Sequence, residues 1–372
     1  MKINITDKRR LGNSGLKISP ICLGTMMFGG RTNEQEARGI IDHAFEKGVN
    51  FIDTADVYNK GISEEIVGRG IAANRSDWVL ASKVGNPMGK GTHQKGLSRK
   101  WMLEAMDQSL ERLKTDYLDI WYLHLPDPQT PIEETLETIS QVLRSGKTRY
   151  WGVSNYRGWQ IADICLNADR LGVPRPIICQ PYYNAMNRTP EVEVLPACKQ
   201  YGLGVAPYSP LARGILTGKY QSGKDPDENT RLGQKDGRML ETEFREESLQ
   251  YAQKITEHCQ KRDITPVSFA ILWLLNNALI SSVIAGPRTQ EQWESYCDAL
   301  DAEFTEADEA ILNQMVSSGH PSTPGYNDPK YPITGRPLLT DRFCDLRTIT
   351  LARTQSARIR LVFPGHSHCS SD

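Results

Sequence analysis

Tyr117-Leu118-Asp119-Ile120-Trp121-Tyr122-Leu123-His124 is an aromatic and β-branched run that ends on a histidine. Such a run reads as a buried strand. On either side lies an amphipathic stretch that reads as a helix. The one before it covers 98–113 and takes Ser98 as its cap. The one after covers 131–144 and carries Pro131 in its first turn, where proline is tolerated.

The same rhythm extends in both directions. Toward the C-terminus come a strand at 148–153, a helix at 158–171, a strand at 177–180, a helix at 191–201 and a strand at 203–207. A long polar loop runs from 209 to about 238. Helices follow at about 243–261 and at 266–276, then a strand at 280–285 and helices at 289–300 and 305–317. Toward the N-terminus lie a strand at 78–83 and a helix at 63–73, whose Ser63-Glu64-Glu65-Ile66 opening approaches a capping box without matching it. Before these come a strand at 49–53, a helix at 33–47 capped by Thr32 or Asn33, a first strand at 19–24 and a glycine-containing hairpin at 11–17.

Strands alternating with helices predict parallel pairing with right-handed crossovers. Eight such units over about 300 residues fit a closed (β/α)8 barrel, with the hairpin before it and an extension after it. An open doubly wound sheet is the alternative, and it usually carries G-x-G-x-x-G after its first strand. No such motif is present. The cluster Gly85-Asn86-Pro87-Met88-Gly89-Lys90-Gly91 does not match. Gly146-Lys147-Thr148 looks like the end of a phosphate loop, but position 141 is Gln141 and a strand follows. The barrel is expected over 1–336. Residues 337–372 lack the rhythm, hold Arg342, Arg347, Arg353, Arg358 and Arg360, and read as an irregular, mobile tail.

Composition narrows the function classes. The 372 residues are 39% hydrophobic and 24% charged, with a formal net charge of −1, enough for a sizeable core and without the basic excess that nucleic acid attracts. No apolar run approaches about 18 residues, so no membrane span is expected. The opening MKINITDKRRLG lacks the apolar stretch of a signal peptide, and a cytoplasmic location is expected. Eight scattered cysteines without a C-x-x-C pair read as reduced, mostly buried thiols. Seven histidines without H-E-x-x-H clustering give no reason to expect a metal site.

Barrel enzymes place their chemistry at the C-terminal ends of the strands. Asp53, Lys83 and His124 close the second, third and fourth expected strands, and Tyr58 lies five residues beyond Asp53. A free tyrosine, with a pKa of about 10, is a poor proton shuttle near neutrality. A neighbouring lysine ammonium favours the phenolate and lowers that value. A buried lysine needs a carboxylate to stay charged, and Asp53 can supply it. Histidine can hold a substrate oxygen. Alone, each residue has a plainer reading: a strand-end cap, a snorkelling lysine, a core histidine, a loop aromatic. Four complementary residues on three successive strand ends favour the functional one.

Those residues belong to longer motifs. They are Gly24-Thr25-Met26-Met27-Phe28-Gly29, Asn50-Phe51-Ile52-Asp53-Thr54-Ala55-Asp56-Val57-Tyr58, Ser63-Glu64-Glu65-Ile66-Val67-Gly68, Ala81-Ser82-Lys83, Gly152-Val153-Ser154-Asn155-Tyr156 and Tyr208-Ser209-Pro210-Leu211-Ala212-Arg213-Gly214. Together with the run that ends at His124 they resemble the aldo-keto reductase superfamily over about residues 9–336. The resemblance implies an NADPH-dependent oxidoreductase that reduces an aldehyde or ketone to an alcohol. Tyr58 would be the proton donor, Lys83 and Asp53 would tune it, and His124 would orient the carbonyl.

The cofactor, NADPH or NADP+, would lie across the mouth against Gly24, Thr25, Met26 and Asp53. Ser154, Asn155 and Gln180 would hold the carboxamide, Tyr208 would stack on the nicotinamide, and Ser209, Leu211, Arg213 and Gly214 would line the pyrophosphate, with Pro210 also against the cofactor. Gly286, Arg288 and Gln292, at the start of a helix, would take the 2′-phosphate, with free N–H groups helping and Arg288 favouring NADPH. Where many relatives have a Glu-Asn pair for the adenine, this chain has Ser295 and Tyr296. Residues 320–329 would fold over the mouth, and Trp151 and Tyr183 are pocket candidates by position. The partner is a small carbonyl compound; the sequence does not fix the oligomeric state. Two other readings stand beside reduction: a cofactor-sensing accessory subunit of a potassium channel, and a barrel lyase or isomerase without nicotinamide.

Overall fold

The computed structural model describes residues 2–220, 227–228 and 230–333. A two-stranded antiparallel hairpin comes first, β1 (Arg9–Arg10) with β2 (Lys17–Ile18). The barrel then runs β3 (Ile21–Gly24), α1 (Glu34–Glu46), β4 (Phe51–Asp53), α2 (Ile62–Ile71), β5 (Val79–Val84), α3 (Arg99–Leu113) and β6 (Leu118–Leu123). It continues through α4 (Ile132–Arg144), β7 (Thr148–Ser154), α5 (Gly158–Leu171), β8 (Ile178–Gln180), α6 (Val194–Tyr201) and β9 (Gly204–Val205). After a long connection come α7 (Gly237–Thr242), α8 (Glu246–Lys261), α9 (Pro266–Leu275), β10 (Val283–Ala285), α10 (Gln290–Asp298) and α11 (Glu306–Met315).

The strands from β3 to β10 are all parallel, in the order β10-β3-β4-β5-β6-β7-β8-β9. The two ends of that order meet. Ser281 N donates to Val205 O at 2.8 Å and Ile284 N to Pro207 O at 3.0 Å, so β9 and β10 close the ring. This is the eight-unit barrel that the alternation predicts. One apolar layer lies between strands and helices. A second, including Cys22, Phe51, Val79, Ala81, Ile120, Tyr122, Ile178, Ala206 and Ile284, fills the barrel. The hairpin contributes fully buried Leu11 and Ile18 to that interior. Gly12, at φ +50°, sits where a Cβ would come within 2.6 Å of Ile177 O and Gly204 N. Only glycine lets the hairpin press this closely against the bottom of the barrel.

Several boundaries differ from the sequence reading, each for a local reason. α1 is capped by Asn33, whose side chain accepts from Glu36 N. α2 starts at Ile62 behind Gly61 at φ 93°; Ser63, read as part of a capping box, turns its hydroxyl to Thr25 and Thr54 instead. The helix expected at 243–261 is α8, which starts three residues later behind extended Arg245 at φ −131°, and the end of the expected polar loop carries a further short helix, α7. The 191–201 helix begins as a short 3-10 turn, and α6 proper starts at Val194. The strands expected at 203–207 and 280–285 shorten to β9 and β10. Six cysteines, Cys22, Cys165, Cys179, Cys198, Cys259 and Cys297, are free and buried, as expected of reduced thiols. No helix among the described residues is long and apolar enough to cross a membrane.

The chain divides at Tyr326 into two units. In the second, the described residues 327–333 form a turn, with Tyr331 N donating to Asp328 O at 3.0 Å. The expected tail at 337–372 lies outside the described residues.

Candidate active site

Side chains along a strand alternate between two faces. The interior row therefore continues, two residues on, to the C-terminal rim. Cys22 leads to Gly24, Phe51 to Asp53, Val79 and Ala81 to Lys83, and Ile120 and Tyr122 to His124. Ile178 leads to Gln180, Ala206 to Tyr208 and Ile284 to Gly286. On β7 the interior residue is Gly152, where a Cβ would meet Ile178 Cγ2 at 2.4 Å and Tyr122 Cδ1 at 3.0 Å; it leads to Ser154. One geometric rule thus gathers eight of the residues singled out in the sequence onto one rim.

Asp53, Tyr58 and Lys83 are in direct contact. The Lys83 ammonium has three N–H donors, and all three are engaged. They reach Asp53 Oδ2 at 2.5 Å, Thr54 O at 2.7 Å and Tyr58 Oη at 3.1 Å. Lys83 is fully buried and Asp53 nearly so. Burial works against the Lys83 charge, but Asp53 and Tyr58 more than offset it and the group is raised above its ordinary value. Asp53 Oδ1 accepts from Gln180 Nε2 at 2.9 Å, which fixes the carboxylate from the other side. His124 is held by its backbone N to Val84 O at 2.8 Å, and its ring meets that of Tyr58 edge-on, at 6.0 Å between centroids and 82°.

The Tyr58 hydroxyl is where sequence and structure diverge. Burial raises its pKa, Lys83 pulls it down, and Asp53 and Asp56 push it up. The lysine acts in the expected direction, but desolvation of the phenolate outweighs it. Tyr58 therefore stays protonated near neutrality, the state from which a proton can be given, although burial makes it the weaker acid.

A second set of contacts leads away from these residues. Ser154 Oγ donates to Gln180 O at 2.8 Å. Asn155, left-handed at φ 63°, donates from Nδ2 to His124 O at 2.9 Å and accepts from Tyr208 Oη at 2.8 Å. Tyr208 stacks on Tyr182 at 5.6 Å and 23° between planes. Ser154, Asn155, Gln180 and Tyr208 are thus wired to Asp53 and His124. Thr25 is fully buried, its hydroxyl bonded to Asp53 O and Ser63 Oγ, while Met26 is exposed beside it. In the connection after β9, Ser209, Ala212, Arg213 and Gly214 all have positive φ. That connection, with buried Pro210 and Leu211, turns sharply back on itself.

At the far end the expected free N–H groups are engaged. Gln290 N donates to Glu36 Oε1 at 2.5 Å, Arg288 N to Gln292 Oε1 at 2.9 Å and Gln292 N to Thr289 Oγ1 at 3.3 Å. Gln292 thereby closes its own turn, and Thr32 Oγ1 fastens Arg288 O at 2.8 Å. Ser295 bonds within its own helix and Tyr296 is buried. Positive side chains converge here instead. Partial burial together with Arg288 and Arg231 weakens the hold of Lys219 on its proton. Arg231 has Arg213 and Arg31 near it and Asp236 as its ion-pair partner at 2.9 Å. Mutually repelling cations of this kind fit a polyanion, such as the phosphates of a dinucleotide. Lys219 and Arg231 escaped the sequence reading because they lie in a polar loop; the signal was basic residues downstream of the Tyr208–Gly214 motif.

Trp151 and Tyr183 are not pocket residues. Both are almost fully buried, with Trp151 Nε1 bonded to Pro174 O and Tyr183 Oη to Glu191. They sit one residue out of step with the interior row and so face the helices. Residues 320–326 pack on the connection after β8 and the start of α8, through Ser322 N to Met186 O at 2.9 Å and Arg245 over the Tyr326 ring at 3.9 Å.

A family model for the Aldo/keto reductase family matches residues 20–317. A probable voltage-gated potassium channel subunit beta from Arabidopsis thaliana is 37% identical over 300 residues, covering 79% of this chain and 90% of its own length. An L-glyceraldehyde 3-phosphate reductase from Escherichia coli O157:H7 is 32% identical over 321 residues, covering 84% and 92%. A versiconal hemiacetal acetate reductase from Aspergillus parasiticus is 35% identical over 294 residues, covering 72% and 85%.

Proposed function

The chain belongs to the aldo/keto reductase family and is an oxidoreductase, and from that premise we propose that it reduces an aldehyde or ketone to an alcohol with NADPH, Tyr58 donating the proton. The contact of Lys83 Nζ with both Asp53 and Tyr58 is the observation that carries this reading.

When bound, the reduced nicotinamide supplies a hydride to the carbonyl carbon. Negative charge then develops on the carbonyl oxygen, and the Tyr58 O–H gives that oxygen its proton. The phenolate left behind lies 3.1 Å from the Lys83 ammonium. That ammonium is already oriented by Asp53 and Thr54 O, so no reorganisation is needed as charge forms. His124 holds the carbonyl oxygen toward Tyr58. Ser154, Asn155 and Gln180 take the carboxamide, and Tyr208 gives the nicotinamide a flat face. Ser209, Pro210, Leu211, Arg213 and Gly214 line the pyrophosphate beside Gly24, Thr25 and Met26. Arg288, with Lys219 and Arg231, takes the 2′-phosphate at the turn formed by Gly286 and Gln292. Guanidinium and ammonium groups favour the phosphorylated cofactor over NADH.

A second reading comes from the potassium channel subunits among the relatives. In it the chain binds cofactor as a sensor and turns over slowly. The reductase reading is preferred because the proton-donating group is complete and closely paired. NADPH oxidation against a panel of small aldehydes, ketones and dicarbonyls separates the two. Turnover on at least one compound is expected; tight NADPH binding with no turnover across the panel would favour the sensor.

A further inference from the structure

Asp56 lies between the catalytic candidates Asp53 and Tyr58 in the sequence, yet the mechanism above gives it no part. The residue is 1% exposed. Oδ1 accepts from Val57 N at 2.6 Å, while Oδ2 is buried and meets no hydrogen-bond partner among the described residues. Its backbone N donates to Lys83 O at 3.3 Å, which fixes it against the end of β5.

The surrounding charges do not balance. Asp53 is paired with Lys83 at 2.5 Å. Glu64, fully buried on α2, is paired with Arg112 of α3 at 2.7 Å and also accepts from Ser82 Oγ at 2.5 Å. The charged groups that act on Asp56 are Glu64, Arg112 and Lys83, and Tyr58 feels Asp56 in turn. Two cations thus face three carboxylates, and both cations already have closer partners. An unpaired buried carboxylate is costly, and such a group takes up a proton instead.

We propose that Asp56 is carried as the neutral acid in the folded protein and serves as a positioning residue for Tyr58 and Lys83. Its proton leaves the Lys83 ammonium to Asp53 and Tyr58. Ionised, Asp56 would draw on the same ammonium and make Tyr58 hold its proton harder. The direction of its titration agrees: burial first, then Glu64, push the carboxyl well above its ordinary range, against weaker pulls from Val57 N, Arg112 and Lys83. The assignment rests on the reading of Tyr58 as proton donor for its consequence, but not for its test.

That test is infrared spectroscopy of the full chain at pH 7, with aspartate labelled by ¹³C. A C=O stretch from a protonated carboxyl is expected, shifted by the aspartate label and missing in Asp56→Asn. No protonated aspartate band in the parent, or an unchanged band in Asp56→Asn, would overturn the proposal. Should Asp56→Asn not fold, Asp53→Asn must retain the band; its loss there would assign the proton to Asp53 instead. In the reduction assay the alkaline limb of kcat is expected at lower pH in Asp56→Asn, where no carboxylate remains to hold the Tyr58 proton as pH rises, and an unmoved limb would remove the link to Tyr58. If no carbonyl is turned over at all, the reductase reading fails and the infrared result stands by itself.

Discussion

On the β4–β6 side of the mouth Asp53 and Lys83 are buried strand side chains bonded to each other, with half-buried Tyr58 bonded to Lys83. On the β9–β10 side the functional groups belong to a connection with four successive departures into positive φ and to a turn whose N–H groups are already occupied. The first wall is rigid because the barrel interior continues into it: Lys83 stands on Ala81, and Asp53 on Phe51. The second presents charge that is crowded, with Asp236 and Asp227 as its opposing carboxylates. One wall is finished by its own contacts. In the proposed function, an anion completes the other. On that proposal the site keeps Tyr58 in place while the cofactor comes and goes.

Lys83→Met should show the greatest difference between the walls. It leaves Asp53 buried without its cation, which costs about 3–5 kcal/mol of stability, and the loss of its help to Tyr58 should slow reduction at least about 10²-fold. Thermal unfolding and kcat report both; a variant as stable as the parent would mean the first wall is not held by that pair. Arg288→Ala combined with Lys219→Ala should leave the melting temperature unchanged. It should weaken NADPH binding about tenfold or more, since hydrogen bonds to charged groups contribute about 1.5–3 kcal/mol, with NADH affinity little changed. Titration calorimetry with both cofactors measures this, and equal losses for the two would place the 2′-phosphate elsewhere. Tyr208→Phe keeps the stacking face and removes the bond to Asn155. It should weaken cofactor binding by about fivefold, the equivalent of about 1 kcal/mol.

The smallest expected effect is a matter of pH. Because burial raises the Tyr58 pKa, its proton stays on through neutrality and comes off only above the ordinary phenol value of about 10. Reduction should show no decline from this group below that range. A fall in kcat near pH 8, absent in a variant that lacks the hydroxyl, would mean that Lys83 dominates after all.

The first wall was legible in the sequence and the second only in part, for the same physical reason. Period-two alternation projects Asp53, Lys83 and His124 onto one rim, so strand ends could be read directly. Tyr58 followed from its spacing, although the direction of its pKa did not, because spacing says nothing about desolvation. Loop groups have no such periodicity. Lys219 and Arg231 were therefore missed, and the engagement of Gln290 N could not be foreseen, since Glu36 is far away in sequence. Trp151 and Tyr183 show the converse: aromatic and close to rim residues, they face the helices because each is one step off the interior row. In the layer behind the rim, Thr25, Ser63 and Thr54 all lie in the quoted motifs, but spacing alone does not show that their hydroxyls share hydrogen bonds.

The most direct measurement is single-turnover reduction by the Tyr58→Phe variant, with cofactor affinity followed by quenching of protein fluorescence. The account predicts that NADPH binds as it does to the parent while reduction falls by about 10²–10⁴-fold, the share that a positioned acid supplies. Reduction at the parent rate with cofactor bound would contradict it, and another group would have to supply the proton.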